Sequence, residues 1–350
     1  MRQFRYLLLL GLFVLATPLS ATAPPELEPG YPESYVVQSG DTLWDIANRY
    51  LREPWRWPDI WHLNPEIGNP HLIYPGDVLR MTFENGQPRL AVAPRSGAPR
   101  EVKLSPHVRR EALTRAIPTI PIDTIQQFLT RPQVLSKQEL DQAARLTAFV
   151  QEHIVGGSGD LIYVSSVEDD LVRGFDVIRP GPAYRDPDSG EYLGQEALFV
   201  GTAQLLRAGT PAKMLLSATT MEAELGDRVI PNPEEEYLEN FQPKPGPPFL
   251  EGKILSVLGG VNQIGVHSVV ALSKGADGGL EPGHVMQILR RSVPPRKETD
   301  TVLWQRKTEL PLEEVGVLMV FRTFERVSYG LVMSASGTIQ VLDTVRSPES

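Results

Sequence analysis

Two proline-broken stretches of opposite charge cut this chain into pieces that cannot share one core. Between Glu84 and Pro121 stand Pro88, Pro94, Pro99, Pro106, Pro118 and Pro121, set among Arg89, Arg95, Arg100, Lys103, Arg109, Arg110 and Arg115. Between Pro231 and Pro248 the prolines return, now with Glu234, Glu235, Glu236 and Glu239. Each proline fixes φ and removes a backbone donor, so neither stretch can continue a helix or a central strand. At 350 residues the chain also exceeds the usual size of one hydrophobic core. The expected organisation is modular: a spacer over 24–34, a small α+β module over 35–83, a basic tether over 84–122, a β-rich middle domain over 123–230, an acidic tether over 231–249 and a second β domain over 250–350. Extended at roughly 3 Å per residue, the basic tether would reach on the order of 100 Å. Its end, Ile117-Pro118-Thr119-Ile120-Pro121-Ile122, is apolar enough to suit docking instead.

Residues 1–23 read as an export signal. Arg2 and Arg5 precede an apolar run, Leu7 to Ala16, that is too short to span a bilayer as a helix. The expected location is beyond the inner membrane, in the periplasm. With no cysteine, neither a lipoprotein anchor nor thiol chemistry is available, and stability must come from packing. The net charge of -9 argues against a nucleic-acid binder, because neutralising phosphate takes a clustered basic surface.

Four of the five tryptophans, Trp44, Trp55, Trp57 and Trp61, lie in the first module. Tyr35-Val36-Val37 reads as a strand stopped by Ser39-Gly40. Thr42 can cap a helix with Asp45 three residues on, and Leu43, Ile46, Ala47 and Tyr50 repeat at helical spacing. Pro58 opens a second helix through Asp59, Ile60, Trp61 and Leu63 that Asn64-Pro65 ends, and Pro75-Gly76 turns into a closing strand, Val78-Leu79-Arg80-Met81. Trp44 and Trp61 read as core. Trp55 and Trp57 either widen a binding platform or brace the second helix.

This strand–helix–helix–strand order, with Gly40-Asp41-Thr42-Leu43, Asn64-Pro65 and Tyr74-Pro75-Gly76-Asp77, resembles the LysM module, which holds N-acetylglucosamine-containing glycans such as peptidoglycan. The resemblance implies a shallow groove between two loops. Gly40, Asp41, Thr42 and Leu43 would form one wall, and Asn69, Pro70, His71, Leu72 and Ile73 the other. Backbone amides and short polar groups suit an acetamido group, and apolar side chains suit the C–H face of a sugar.

From Asp160 onward the texture is β. Leu161–Val164, Gly174–Ile178, Ala197–Val200, Lys213–Leu216, Lys253–Val257, Ser268–Leu272, His284–Ile288, Val315–Phe321, Tyr329–Met333 and Thr338–Val341 are short apolar or alternating runs between turn residues. Before them, Asp123–Leu129 and the capping-box pair Ser136 and Glu139 predict short helices, the second leading into Leu140, Ala143, Ala144 and Leu146. Met214–Thr219 followed by Gly226–Val229 parallels Leu331–Ser336 followed by Leu342–Val345, and Leu198–Val200 parallels Leu318–Val320. The fold class expected is therefore multidomain: a βααβ module followed by mainly-β, barrel-like domains built by duplication.

No chemistry is expected beyond binding. His62, His107, His153, His267 and His284 are scattered without metal-ligand spacing, and His71 stands alone in a loop. Asp186-Pro187-Asp188-Ser189-Gly190 starts like a calcium loop, but its closing ligand position falls on Ala197, so it reads as a turn. Catalytic residues, metal and cofactor are all expected to be absent. Across its whole length the chain resembles the TsaP family of secretin-associated pilus proteins. The resemblance runs through Lys103-Leu104-Ser105-Pro106, Ala116–Pro121 and a C-terminal half similar to that of the flagellar protein FlgT at Gly260–Gly265 and Gly279–Val285. It implies a non-enzymatic anchor with two partners, peptidoglycan and the outer-membrane secretin of type IV pili, and a homo-oligomer would suit a ring-shaped secretin. The alternatives are a wall hydrolase targeted by the module, which would need a placed carboxylate or metal cluster, and a periplasmic assembly factor that uses it for adhesion only.

Overall fold

The computed structural model describes residues 24–61, 73–93, 116–130, 133–151, 154–168, 171–232, 241–258, 264–291 and 311–348. The export signal read in residues 1–23 lies outside them, as do Leu63 and Asn64-Pro65. The first module is built from β1 (Ser34–Val36), α1 (Leu43–Tyr50), a 3-10 turn over Pro54–Arg56, α2 (Trp57–Trp61) and β2 (Val78–Glu84), with β1 antiparallel to β2. The expected capping box is present: the Thr42 hydroxyl accepts from the Asp45 N–H while the Asp45 carboxylate accepts from the Thr42 N–H. Leu43, Ile46, Ala47 and Tyr50 then face a core shared with Trp57, Ile60, Trp61, Ile73 and Leu79.

Both ends of this module differ from expectation. The spacer is packed, with the Glu28 N–H donating to Tyr50 O and the Tyr31 ring 6.4 Å from that of Tyr50. The basic tether does not begin at Glu84. Asn85-Gly86 turns the chain back into β3 (Gln87–Val92), which adds a third strand beside β2 and buries Leu90 in the module core. Pro88 is tolerated because β3 is an edge strand.

Next come α3 (Ile122–Thr130), β4 (Gln133–Leu135) and α4 (Lys137–Gln142), the last opened by the expected Ser136–Glu139 capping box. The helix stops sooner than its pattern implied. Ala144 and Leu146 belong to β5 (Ala144–Phe149), because the β-bonded neighbours of that strand outweigh local propensity.

Beyond it lie β6 (Val155–Gly156), β7 (Leu161–Val164), β8 (Gly174–Arg185), β9 (Tyr192–Arg207), β10 (Ala212–Thr219), β11 (Ala223–Glu224) and β12 (Arg228–Pro231). Six strands close into a ring in the order β5-β7-β10-β9-β8-β12, with β4 added on β9 and β6 paired to β11 outside the ring. Asp186–Glu191 is the turn of the β8–β9 hairpin, as read from the sequence.

The second half repeats this plan. It comprises β13 (Lys244–Pro245), β14 (Glu251–Leu258), β15 (Val269–Leu272), β16 (His284–Arg291), β17 (Leu312–Thr323), β18 (Ser328–Ala335) and β19 (Thr344–Arg346). Its six ring strands run β14-β15-β18-β17-β16-β19. Numbered by position along each ring domain, both closures read first, second, fifth, fourth, third, sixth. The echoes seen in the sequence therefore fall on equivalent strands. Their residue pairing needs correction, because Leu216 and Val332 both point into a barrel whereas Met214 and Leu331 lie on opposite faces. Thr338–Val341 is not a strand; only Ile339 makes a bridge there, to Ile264, and β19 follows it. The acidic tether is also partly structured, since Phe241 is buried and β13 pairs in parallel with β16.

Two residue-level devices recur in both barrels. In the first, a four-residue turn places its third residue in the left-handed region, and the side chain of the fourth accepts the N–H of the first. It precedes β7 and β15 (Asp160 to Gly157, Ser268 to Gly265) and also β12 and β19 (Asp227 to Glu224, Asp343 to Gln340). In the second, an arginine on the third ring strand grips the last turn. Arg179 bonds Glu222 O and, through two nitrogens, Asp227; Arg290 bonds Thr338 O and the Gln340 side chain.

The outer face of the second barrel is covered. Val317, Met319, Phe321, Tyr329, Leu331 and Met333 point away from its interior into a cluster shared with Trp44, Trp55, Ile120, α3 residues and the tip of the β8–β9 hairpin. This double burial is why β17 reads as an unbroken apolar run. Arg322 caps the end of α3 by donating to Phe128 O and Leu129 O, and Arg326 bonds Tyr192 O and pairs with Glu191.

Candidate glycan-binding module

The first wall is a shaped turn. Gly40 has φ +95°, a conformation side chains resist. Asp41 accepts from the Gln38 N–H at 2.8 Å and from the Tyr35 hydroxyl at 2.8 Å. Burial first, and then the Asp41 carboxylate, push the Tyr35 hydroxyl above its ordinary value, while the Arg49 guanidinium sits 4.6 Å from the centre of the same ring. Asp41 is thereby pinned beside Gly40 at the entry to α1.

Thr42 and Leu43 play other parts than the pattern suggested. The Thr42 hydroxyl is committed to Asp45, donating at 2.7 Å as well as accepting. Leu43 is 2% exposed, with its side chain in the module core. What Leu43 offers the groove is its N–H at the start of α1. Of the second wall, Asn69, Pro70, His71 and Leu72 lie outside the described residues. Ile73 is buried in the core and presents its carbonyl. A turn of the recurring kind, Tyr74 to Asp77, then aims the chain into β2.

None of the four tryptophans forms an open platform. Trp57 and Trp61 meet edge to face at 6.3 Å inside the module. Trp44 and Trp55, 6.5 Å apart, are buried against the second barrel. Reading Trp44 as buried is right in exposure, but the surface that buries it belongs to another domain.

Sequence reasoning did not anticipate what lies against the head of α1 and Ile73. The Leu43 N–H donates to Pro118 O at 2.9 Å, the Trp44 N–H donates to Thr119 O at 3.1 Å, and the Ile117 N–H donates to Ile73 O at 2.9 Å. Ile117 is buried in the module core. The apolarity of 117–122 was the one signal that hinted at this.

A strand–helix–helix–strand unit with a glycine-shaped loop at the head of its first helix defines the class as a small α+β module of the LysM type. The family model for the LysM domain matches residues 35–82, so the chain carries a LysM peptidoglycan-binding domain. The chain is also 35% identical over 60 residues to an uncharacterized protein, YqbP, of Bacillus subtilis (strain 168), an overlap of 14% of this chain and 27% of the relative. The chain thus spans about a quarter of that relative's length. Among the described residues, no group of three or more His, Cys, Asp and Glu residues is placed to hold a metal, and no helix is long and apolar enough to cross a membrane.

Proposed function

We propose that this chain is a non-catalytic peptidoglycan anchor, exported to the periplasm, whose LysM domain grips N-acetylglucosamine-containing wall glycan while its paired barrels hold an outer-membrane assembly. The observation that carries the reading is the LysM match over residues 35–82, together with the module geometry: a capped α1 entered through a loop shaped by Gly40. Gly40, Asp41, Thr42, Leu43 and Ile73, with Asn69, Pro70, His71 and Leu72, are the residues proposed to frame the glycan. Neutral amino-sugar needs hydrogen-bond partners and a dry edge more than charge, which such a groove supplies.

The secretin of type IV pili is the proposed assembly. Support comes from the resemblance to secretin-associated proteins read in the order of the LysM module, 103–106, 116–121 and a β-rich C-terminal half, and from the resemblance of that half to FlgT at 260–265 and 279–285.

Purified mature protein is expected to co-sediment with insoluble peptidoglycan sacculi and to release no soluble fragments. Gly40→Val should lower the bound fraction without altering the circular dichroism of the barrels. Release of muropeptides would replace the anchor with a hydrolase. Crosslinking in the native cell, followed by identification of the captured partner, tests the secretin assignment.

A further inference from the structure

We infer that the segment Ile117–Ile120 is a built-in competitor for the glycan groove, so that wall binding requires this strap to leave. The inference rests on the groove assignment above.

The strap bonds both edges that the described residues give the groove, the head of α1 on one side and Ile73 on the other. Its carbonyls at Pro118 and Thr119 take the Leu43 and Trp44 N–H groups, and its Ile117 N–H takes Ile73 O. An amide carbonyl is the same acceptor that an N-acetyl group presents, so strap and sugar compete for the same donors with the same chemistry. Pro118 suits the task, because its ring disfavours the helical region for Ile117 before it and leaves no N–H that would need water.

Two side chains set the balance between closed and open. Ile120, 0% exposed, anchors the strap among Trp44, Trp55 and the outer face of the second barrel. Thr119 opposes it: its hydroxyl oxygen is buried with no hydrogen-bond partner among the described residues, which disfavours the closed state. The strap is therefore held by apolar packing and weakened by one orphaned hydroxyl. Because Ile120 belongs to the junction between the module and the second barrel, opening the groove also loosens that junction, and glycan binding is thermodynamically linked to how the domains sit together.

The test measures binding of chitin oligomers of N-acetylglucosamine to the full chain by calorimetry, with folding checked by circular dichroism. Ile120→Asp should free the strap and tighten binding by about tenfold, since the apparent affinity scales with the open fraction. Thr119→Val removes the orphaned hydroxyl at nearly constant shape, so it should close the strap further and weaken binding. Opposite shifts from neighbouring substitutions are not the signature of general unfolding. Equal affinity in all three proteins would overturn the strap while leaving the groove intact. Absence of binding in all three would overturn the groove and the strap with it.

Discussion

His284 occupies the fourth position of a turn where Asp41, Asp77, Asp160, Asp227 and Asp343 stand elsewhere in the chain. Its Nδ1 accepts the Glu281 N–H at 3.0 Å, so the turn requires a neutral ring carrying its proton on Nε2. Burial first, and then the Lys244 ammonium, depress its pKa below 6.5. A depressed base contributes stability that is present above 6.5 and lost as pH falls toward the folded value. Thermal unfolding of the wild type should therefore weaken below about pH 6.5. His284→Asp, which restores the acceptor used in the sister turns, should flatten that slope, and an unchanged slope would place the sensitivity elsewhere. Arg179 gives a second test at this scale. It binds Asp227, whose side chain is 3% exposed, through two nitrogens at 2.9 and 3.0 Å. Arg179→Ala leaves that buried carboxylate with the Glu224 N–H but no counter-charge and should cost about 3 kcal/mol by chemical denaturation. Arg290→Ala, which frees only a backbone carbonyl and an exposed amide, should cost about 1 kcal/mol.

Between elements, the β8–β9 hairpin, with Val134 of β4 beside it, carries the first barrel onto the second. The Ser256 hydroxyl approaches Tyr184 Oη at 3.4 Å, and burial pushes the Tyr184 and Tyr329 hydroxyls well above their usual range. Beside them, burial raises the Glu196 carboxyl above 4.5 even though Tyr184 hydrogen-bonds its charged form. A raised acid binds its proton more tightly when folded, so the contact is strongest at low pH and weakens as pH rises through the folded value. Glu196→Gln should raise the melting temperature at pH 7 and leave it unchanged at pH 4. A drop at pH 7 would mean that the charge itself is stabilising there.

Across the whole molecule, the LysM domain is docked and not held at the end of a free tether. Trp44 and Trp55 belong to one buried cluster with residues of the second barrel 274 and more positions away in sequence, such as Leu331 and Tyr329. Trp55→Ala should remove roughly 3 kcal/mol of packing at the junction. Small-angle scattering should then show a larger radius of gyration while the glycan-binding fold survives. No change in dimensions would mean that the strap and α3 suffice to hold the domains together.

Short-range signals were legible in the sequence for a physical reason: they act through the backbone of neighbouring residues. The capping boxes at Thr42 and Ser136, the turn at Asp186, most barrel strands and the LysM order all follow from such local chemistry. β3 escaped notice because Pro88 reads as a breaker unless its strand is known to be an edge, and β19 because three residues carry no periodicity. Whether Trp44 faces a sugar, a core or another domain is decided by what packs on it, and so is the fate of 117–120. Local sequence determined a LysM domain followed by β-rich domains. Only the tertiary structure decided that the β-rich regions close into two rings of one connectivity, that Trp44 and Trp55 share a buried cluster with the second barrel, and that residues 117–120 bond to the head of α1 and to Ile73, because each depends on contacts between residues far apart in the chain.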